Sequence, residues 1–351
     1  MKIQTIGIDL GKATFHVVGF DEAGNVVVKK RLSRKQVICY AANVPPCLIG
    51  MEACCGAHHL GAALEARGHQ VRLIPAQFVR PFVKSNKNDY RDAEAIAEAV
   101  QRPTMRFVPI KTKDQLDLQA LHRTRDRLVS RRTSLVNQIR AFLLERRITF
   151  RQGRAYLRQR MPLILEDAEL NLSPLMRQLL DQLWQEWKAV EEQIETMNRT
   201  IARIADQDAA CQRLQQVPGV GPLAATAIAA AVGNGSAFRK GRDFAAWLGL
   251  VPRQHSTGGK AKLLGISKRG NPYLRRLFIH GARSILTVAN RENIAFGAWM
   301  TQLESHVHRN VAIVAVANKL ARIAWAVLAK EETYHWPPAM SVTPSDRSQA
   351  A

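Results

Sequence analysis

Acidic side chains, paired cysteines and long apolar runs are what this 351-residue chain has little of. Its 29 Asp and Glu stand against 51 Lys and Arg, a formal net charge of +22. That imbalance points to a polyanionic partner, and nucleic acid ranks ahead of an anionic membrane surface because neither a lipidation motif nor a basic amphipathic N-terminus appears. The five cysteines (Cys39, Cys47, Cys54, Cys55 and Cys211) form no CxxC pair. Adjacent Cys54 and Cys55 suit neither a disulfide nor zinc, so reduced thiols in a reducing compartment are expected. The opening stretch MKIQTIGIDLG has no charged-then-apolar leader, and no apolar run approaches the roughly 18 residues of a membrane span. The expectation is a cytoplasmic protein with no membrane partner.

What is present is enough apolar material, 46% of residues, to build a large core divided over two or three domains. From Ile3 to Arg31 three short alternating runs predict a β-meander with DEAGN as one turn. A strand over Cys47–Glu52, a helix from about Ala57 to Arg67, a strand over Gln70–Pro75 and a helix from about Asp89 to Gln101 follow. A meander and then alternating strand and helix is the order of a ribonuclease-H-like α/β domain, an order that several other folds also produce. From about Lys113 to Asp208 glycine nearly vanishes and helical spacing takes over, predicting long helices in a coiled-coil-like hairpin. In the last third LQQVPGVGPLAATAIAAAVG joins two apolar helices through a Gly-Val-Gly turn, similar to a helix-hairpin-helix element. A further helix is expected from about Val311 to Lys330. The fold class is thus α/β plus α. Residues 1–110 are expected to form this α/β domain, 111–210 the arginine-rich helical domain, 211–330 a mainly α C-terminal domain, and 331–351 a Pro/Ser-rich disordered tail.

Four scarce acids occupy informative places. Asp9 in GIDLGK and Glu52 in GMEACCG end strands, where the backbone is fixed and the side chain can project into a crevice. Asp89 and Asp92 in KNDYRDAEAIAEA are three residues apart on one helical face. Taken singly, Asp89 would serve as a helix N-cap and Asp92 as a complement to the helix dipole. Taken together, the four form an oxygen-rich cluster able to hold two Mg²⁺ about 3.5–4 Å apart for phosphoryl transfer. The same N-terminal pattern suits an actin-like ATPase, but a second Asp-containing hairpin and a glycine-rich adenosine stretch are lacking.

The cations cluster too. His122 to Arg160 holds twelve arginines and no lysine against two acids. Arg123, Arg125, Arg127, Arg131, Arg132 and Arg140 on its first helix are candidates for phosphate contact, since the guanidinium fork suits phosphate. Gly219 and Gly221 could present amides to phosphate at a helix N-terminus, or be glycines for backbone conformation alone. A glycine-containing loop, VPRQHSTGGKAKLLGISKRGNPYLRR, carries Ser256 and Thr257 among Arg253, Lys260, Lys262, Lys268 and Arg269. A hydroxyl among cations suits either a phosphoryl-transfer nucleophile or simple phosphate binding.

The order GIDLGK, GMEACCGAHHL, KNDYRDAEAIAEA, a helical middle, VPGVGPLAATAIAAAVG and FAAWLGLVPRQHSTGGKAKLLGISKRGNPYLRR resembles the DEDD transposases of bacterial insertion sequences, specifically the insertion-sequence one-ten family, eleven-eleven subgroup. It spans about residues 1–330. The resemblance implies a RuvC-like N-terminal nuclease domain joined by a coiled coil to a C-terminal transposase domain, in an RNA-guided DNA recombinase acting at the nucleoid. A non-coding guide RNA of its own element, a bridge or seeker RNA, would pair with target and donor DNA. Asp9, Glu52, Asp89 and Asp92 would be the Mg²⁺-binding tetrad. The nucleophile would be a serine forming a covalent phosphoserine. Many relatives place that serine directly before the glycine, where this chain has Thr257, so Ser256 is the assignment and Thr257 the alternative. A homo-oligomer, dimer or tetramer, is implied, with an active site joining domains of different protomers. The competing expectation is a RuvC-like metal-dependent junction nuclease with no covalent intermediate.

Overall fold

The computed structural model describes residues 2–84, 88–288 and 290–334. The chain forms two compact units, one up to Lys113 and one from Asp114 onward.

The first unit is built on β1 (Thr5–Leu10), β2 (Thr14–Phe20) and β3 (Val26–Ser33), then α1 (Arg34–Ala42), β4 (Leu48–Glu52), α2 (Ala57–Glu65), β5 (Gln70–Ile74), the short α3 (Ala76–Val79) and α4 (Asp89–Ala99). The strands make one mixed sheet in the order β3-β2-β1-β4-β5. Neighbours are antiparallel across β1, β2 and β3 and parallel across β1, β4 and β5, as a meander followed by strand-helix units requires. Both faces are covered. Ile6 and Ile8 of β1, with Ile49 and Met51 of β4, cluster with Val37 and Ala41 of α1 and Leu60 and Leu64 of α2. On the other face lies α4, over Gly7 and Gly50, which are register partners on β1 and β4. A Cβ on Gly7 would stand 2.0 Å from the Ala93 carbonyl oxygen and 2.6 Å from the Ala97 nitrogen, and one on Gly50 would meet Val100 at 2.8 Å. The two glycines are therefore what lets an alanine-rich helix lie directly on the sheet.

The second unit begins with α5 (Lys113–Leu144), α6 (Arg154–Glu166) and α7 (Pro174–Gln207). Leu128, Leu135, Ile139 and Leu143 of α5 share a buried cluster with Leu180, Trp184, Trp187, Val190 and Ile194 of α7. Cross-links Arg125 to Asn198, Arg132 to Glu191 and Arg131 to Glu186 run in opposite chain directions, so α5 and α7 pack antiparallel. Beyond come α8 (Ala209–Gln215), α9 (Pro222–Val232), α10 (Gly241–Trp247), β6 (Pro252–Thr257), β7 (Lys260–Ile266), α11 (Pro272–Val288), α12 (Gly297–His306) and α13 (Arg309–Lys330). A second cluster gathers α8 to α13 around Ile228, Phe244, Phe278, Met300 and Leu320.

Three expectations change. The stretch carrying Ser256 and Thr257 is not a loop but the β6–β7 hairpin. Its two-residue connection, Gly258-Gly259, has φ of +58° and +74°, the left-handed pair a type I′ turn demands. Contrary to the reading that no run is long and apolar enough, α13 has the length and composition to cross a membrane; half of its apolar window is buried, because Ala312, Val316, Leu320 and Ala324 fill the C-terminal core. Of the tail expected to be disordered, Tyr334 packs against that core, and 335–351 lie outside the described residues.

His122 ties three helices of this unit together. The Thr226 hydroxyl donates to the Pro222 carbonyl at 2.8 Å, so Thr226 Oγ1 accepts from His122 Nε2 at 3.0 Å and the Tyr273 hydroxyl donates to His122 Nδ1 at 3.0 Å. Burial, then the Arg125 charge, pushes His122 down to about 4. A histidine depressed in the fold contributes stability above its unfolded pKa near 6.5, and that contribution is lost as pH falls toward 4.

Two outcomes are expected. Gly7→Ala destabilises the first unit by about 1–3 kcal/mol, the usual cost of overpacking, measured by denaturant unfolding. Between pH 6.5 and 4 the wild type loses roughly 3 kcal/mol relative to His122→Gln, which has no ring to protonate; parallel unfolding curves at both pH values would refute this.

Candidate active site

Side chains two residues apart on a strand share a face. Asp9 is two residues beyond Gly7, and Glu52 two beyond Gly50, so both carboxyl groups emerge on the α4 side at the carboxyl ends of adjacent parallel strands. The first turn of α4 brings Asp89 and Asp92 to the same end. Neither is used up as a cap, because the preceding Asn88 takes that role, its side chain accepting from the Tyr90 amide at 3.0 Å. That removes the plain helix-cap account of Asp89.

The four acids feel one another. Burial raises the Asp9 carboxyl above its ordinary value; Asp92 and Asp89 push it further, His16 pulls it down and Glu52 adds to the rise. Glu52 is raised by burial and then by Asp92. The cluster thus holds more negative charge than its surroundings neutralise, the condition a divalent cation relieves. Its donor set, carboxylate oxygens with one imidazole, fits a hard or borderline divalent ion.

His16 did not stand out in the sequence. It lies on β2 directly across from Asp9, and its Nδ1 is 3.6 Å from Oδ2 of Asp89. One donor atom each from Asp9, His16 and Asp89 lie within 4.8 Å of one another. The signal available was the tight β1–β2 connection, which sets the register that pairs residues 9 and 16.

The hydroxyl-bearing hairpin is of another kind. Every residue from Pro252 to Gly265 is exposed. Cross-strand pairing of Ser256 with Ala261 and Gln254 with Leu263 puts these four on one face, while Thr257 with Lys260 and His255 with Lys262 make the other face cationic. Gln254 donates through Nε2 to Ser256 Oγ at 2.7 Å, leaving the serine proton unengaged by that bond. Arg253, Lys268 and Arg269 are exposed nearby in sequence.

The remaining candidate contacts divide. Gly219 has φ +75°, and a Cβ there would meet the Gly281 carbonyl oxygen at 2.8 Å, so this glycine serves turn and packing together. Gly221 is exposed at the N-cap of α9 with nothing near its Cβ position. Among the α5 arginines, Arg123, Arg127 and Arg131 are exposed, Arg131 while also bound to Glu186 of α7 at 2.8 Å. Arg125 is bound to Asn198 at 2.6 Å and Arg132 to Glu191 at 2.9 Å, and Arg140 donates to the Arg151 carbonyl while lying over Phe150. These last three act within the helical bundle. All five cysteines are free, and burial pushes the Cys47 thiol up to about 11.

Residues 6–147 match the family model of DEDD transposases of the IS110 type, and residues 211–296 match that of the transposase IS116/IS110/IS902 family. Over 335 residues, 95% of this chain and 99% of the other, the sequence is 45% identical to a probable family 20 transposase of Pseudomonas aeruginosa. It is 46% identical to the transposase for insertion sequence element IS1328 of Yersinia enterocolitica, over 93% of this chain and 96% of that one. For the transposase of insertion sequence element IS1111A of Coxiella burnetii the identity is 43%, covering 95% and 91% of the two chains. Carboxylates on strand ends and one helical turn, followed by a cationic C-terminal segment, are thus read in a chain that belongs to the IS110 family of DEDD insertion-sequence transposases, enzymes that act on DNA.

Proposed function

We propose that this transposase is an RNA-guided DNA recombinase in which Asp9, Glu52, Asp89 and Asp92 hold Mg²⁺ and Ser256 is the nucleophile. The observation that carries the reading is the convergence of four mutually repelling carboxylates at one sheet end, on a chain of net charge +22. Bound there, divalent cations supply Lewis-acid polarisation of the scissile phosphate. The rest falls to the protein's own groups. The β1 and β4 ends and the first turn of α4 fix the carboxylates. Ser256 Oγ forms a bond to phosphorus while one phosphorus–oxygen ester bond to deoxyribose breaks, and the departing sugar oxygen receives the proton. Attack by a different sugar hydroxyl reverses the step, frees the serine and joins new strands, so the ester energy is conserved without a nucleotide cofactor. The hydrogen bond from Gln254 to Ser256 Oγ supports the choice of Ser256 over Thr257, the more hindered alternative.

Recognition follows the charge. The exposed Arg123, Arg127 and Arg131, the Gly219–Gly221 turn and the cations Arg253, Lys260, Lys262, Lys268 and Arg269 would hold phosphates of a structured guide RNA and of donor and target DNA. Base pairing with the guide would then choose the site, as in other RNA-guided systems. The carboxylate centre and the hairpin would serve one reaction within a homo-oligomer.

Incubating protein, element RNA, labelled target DNA and Mg²⁺ tests this on a denaturing gel. A protein-DNA adduct is expected, lost in Ser256→Ala and Asp92→Ala, retained in Thr257→Ala and absent without RNA. Cleavage with no adduct would instead establish a hydrolytic RuvC-like nuclease. A metal-free measurement complements it. Because the Asp9 carboxyl is raised in the fold, ionising it costs stability as pH rises through its folded pKa. Asp9→Asn is therefore expected to unfold at a higher temperature than wild type at pH 7 without metal, and to lose the stabilisation that added Mg²⁺ gives the wild type.

A further inference from the structure

His16 has no part in that reaction, although it stands inside the carboxylate centre. It faces Asp9 across the β1–β2 ladder, on the side of the sheet that α4 covers. Tyr90, one residue into α4, meets the imidazole edge-on with ring centroids 4.8 Å apart. The His16 side chain is 13% exposed against 54% for Asp89, so the ring is the held partner and the carboxylate the adaptable one. Its Nδ1 lies 3.6 Å from Asp89 Oδ2, and the donor atoms of Asp9, His16 and Asp89 span at most 4.8 Å. Two donors each about 2.1–2.2 Å from one cation lie roughly 3–4.4 Å apart. The trio therefore closes on a single ion with small side-chain shifts, led by exposed Asp89.

An imidazole nitrogen changes which ion such a position takes. Mg²⁺ keeps an all-oxygen, partly aqueous shell, whereas Mn²⁺ and the later first-row divalent ions gain from a nitrogen donor. We infer that His16 is a nitrogen ligand to the cation held by Asp9 and Asp89, and that it raises the affinity of this position for Mn²⁺-class ions far more than for the Mg²⁺ that the position also takes. The inference rests on the carboxylate centre binding divalent cations.

The test is Mn²⁺ titrated into the full-length protein and read by pulsed electron paramagnetic resonance, which needs neither turnover nor a variant. A ¹⁴N modulation from a directly bound imidazole is expected, converting to the ¹⁵N pattern in protein made with ¹⁵N-histidine. Bound Mn²⁺ that is lost in Asp9→Asn yet shows no nitrogen coupling would overturn the role of His16 while leaving the carboxylate site standing. Mn²⁺ binding that is absent, or indifferent to Asp9→Asn, would overturn both. In parallel, His16→Asn is expected to weaken Mn²⁺ by about 10–100-fold and Mg²⁺ by less than about threefold. Equal loss for both ions would mean that His16 only positions Asp89, and the selectivity inference would fall.

Discussion

The close seating of α4 on the sheet is the constraint from which the rest of the first unit follows. Gly7 and Gly50 sit side by side on β1 and β4, and any side chain at either would run into α4. Ala93, Ala97 and Val100 answer from the helix, small or branched where the sheet leaves no depth. Had the helix stood off by the usual separation set by side chains on both partners, its first turn would rise away from the strand ends. The direct contact instead puts Asp89 and Asp92 within electrostatic reach of Asp9 and Glu52. The packing thus creates a charge arrangement in which Asp92, Asp89 and Glu52 make Asp9 harder to ionise, and Asp92 does the same to Glu52.

Two acids outside the centre, Glu186 and Glu191, tie arginines into the helical hairpin. Glu191 alone is approached by Arg132, Arg154 and Arg158, and Asp126 pairs with Arg276. A helix bearing many arginines would repel itself, and these pairs discharge the inward-facing part of it. Beyond Asp117 the charged residues of α5 that remain exposed are Arg123, Arg127 and Arg131, all positive, as a surface for phosphate needs.

Much of this was legible in the sequence and some was not, for identifiable reasons. Alternating apolar residues gave all five strands of the main sheet, and strand-end carboxylates gave Asp9 and Glu52. Helix α1 escaped, although Ser33 and Gln36 form a capping box whose spacing could have been read. The β6–β7 hairpin escaped because neither face carries the apolar stripe that marks a half-buried strand; Gly258-Gly259 was the usable sign. The engagement of Arg132 by Glu191 was beyond sequence reasoning, since 59 residues separate the two and only the register of an antiparallel helix pair joins them. His16 hid among the apolar residues of TFHVVGF, and only strand pairing turns it toward the acids.

The carboxylate centre and the hairpin that carries Ser256 and Thr257 differ in how firmly they are built. The carboxylates rest on a five-stranded sheet packed on both faces. The hydroxyls rest on a two-stranded hairpin packed on neither, with Leu263 67% and Leu264 41% exposed. An isolated two-stranded hairpin is at best marginally stable in water, because each strand has one partner and no layer to bury against. Covering Leu263 and its neighbours would supply the missing layer, and nucleic acid or another protomer would do so only in an assembled complex. In the role proposed for it, Ser256 would be held most firmly once substrate and partners are in place. The carboxylate centre is held by the packing of its own unit, whereas the hairpin bearing Ser256 and Thr257 gains a second layer only from whatever covers it.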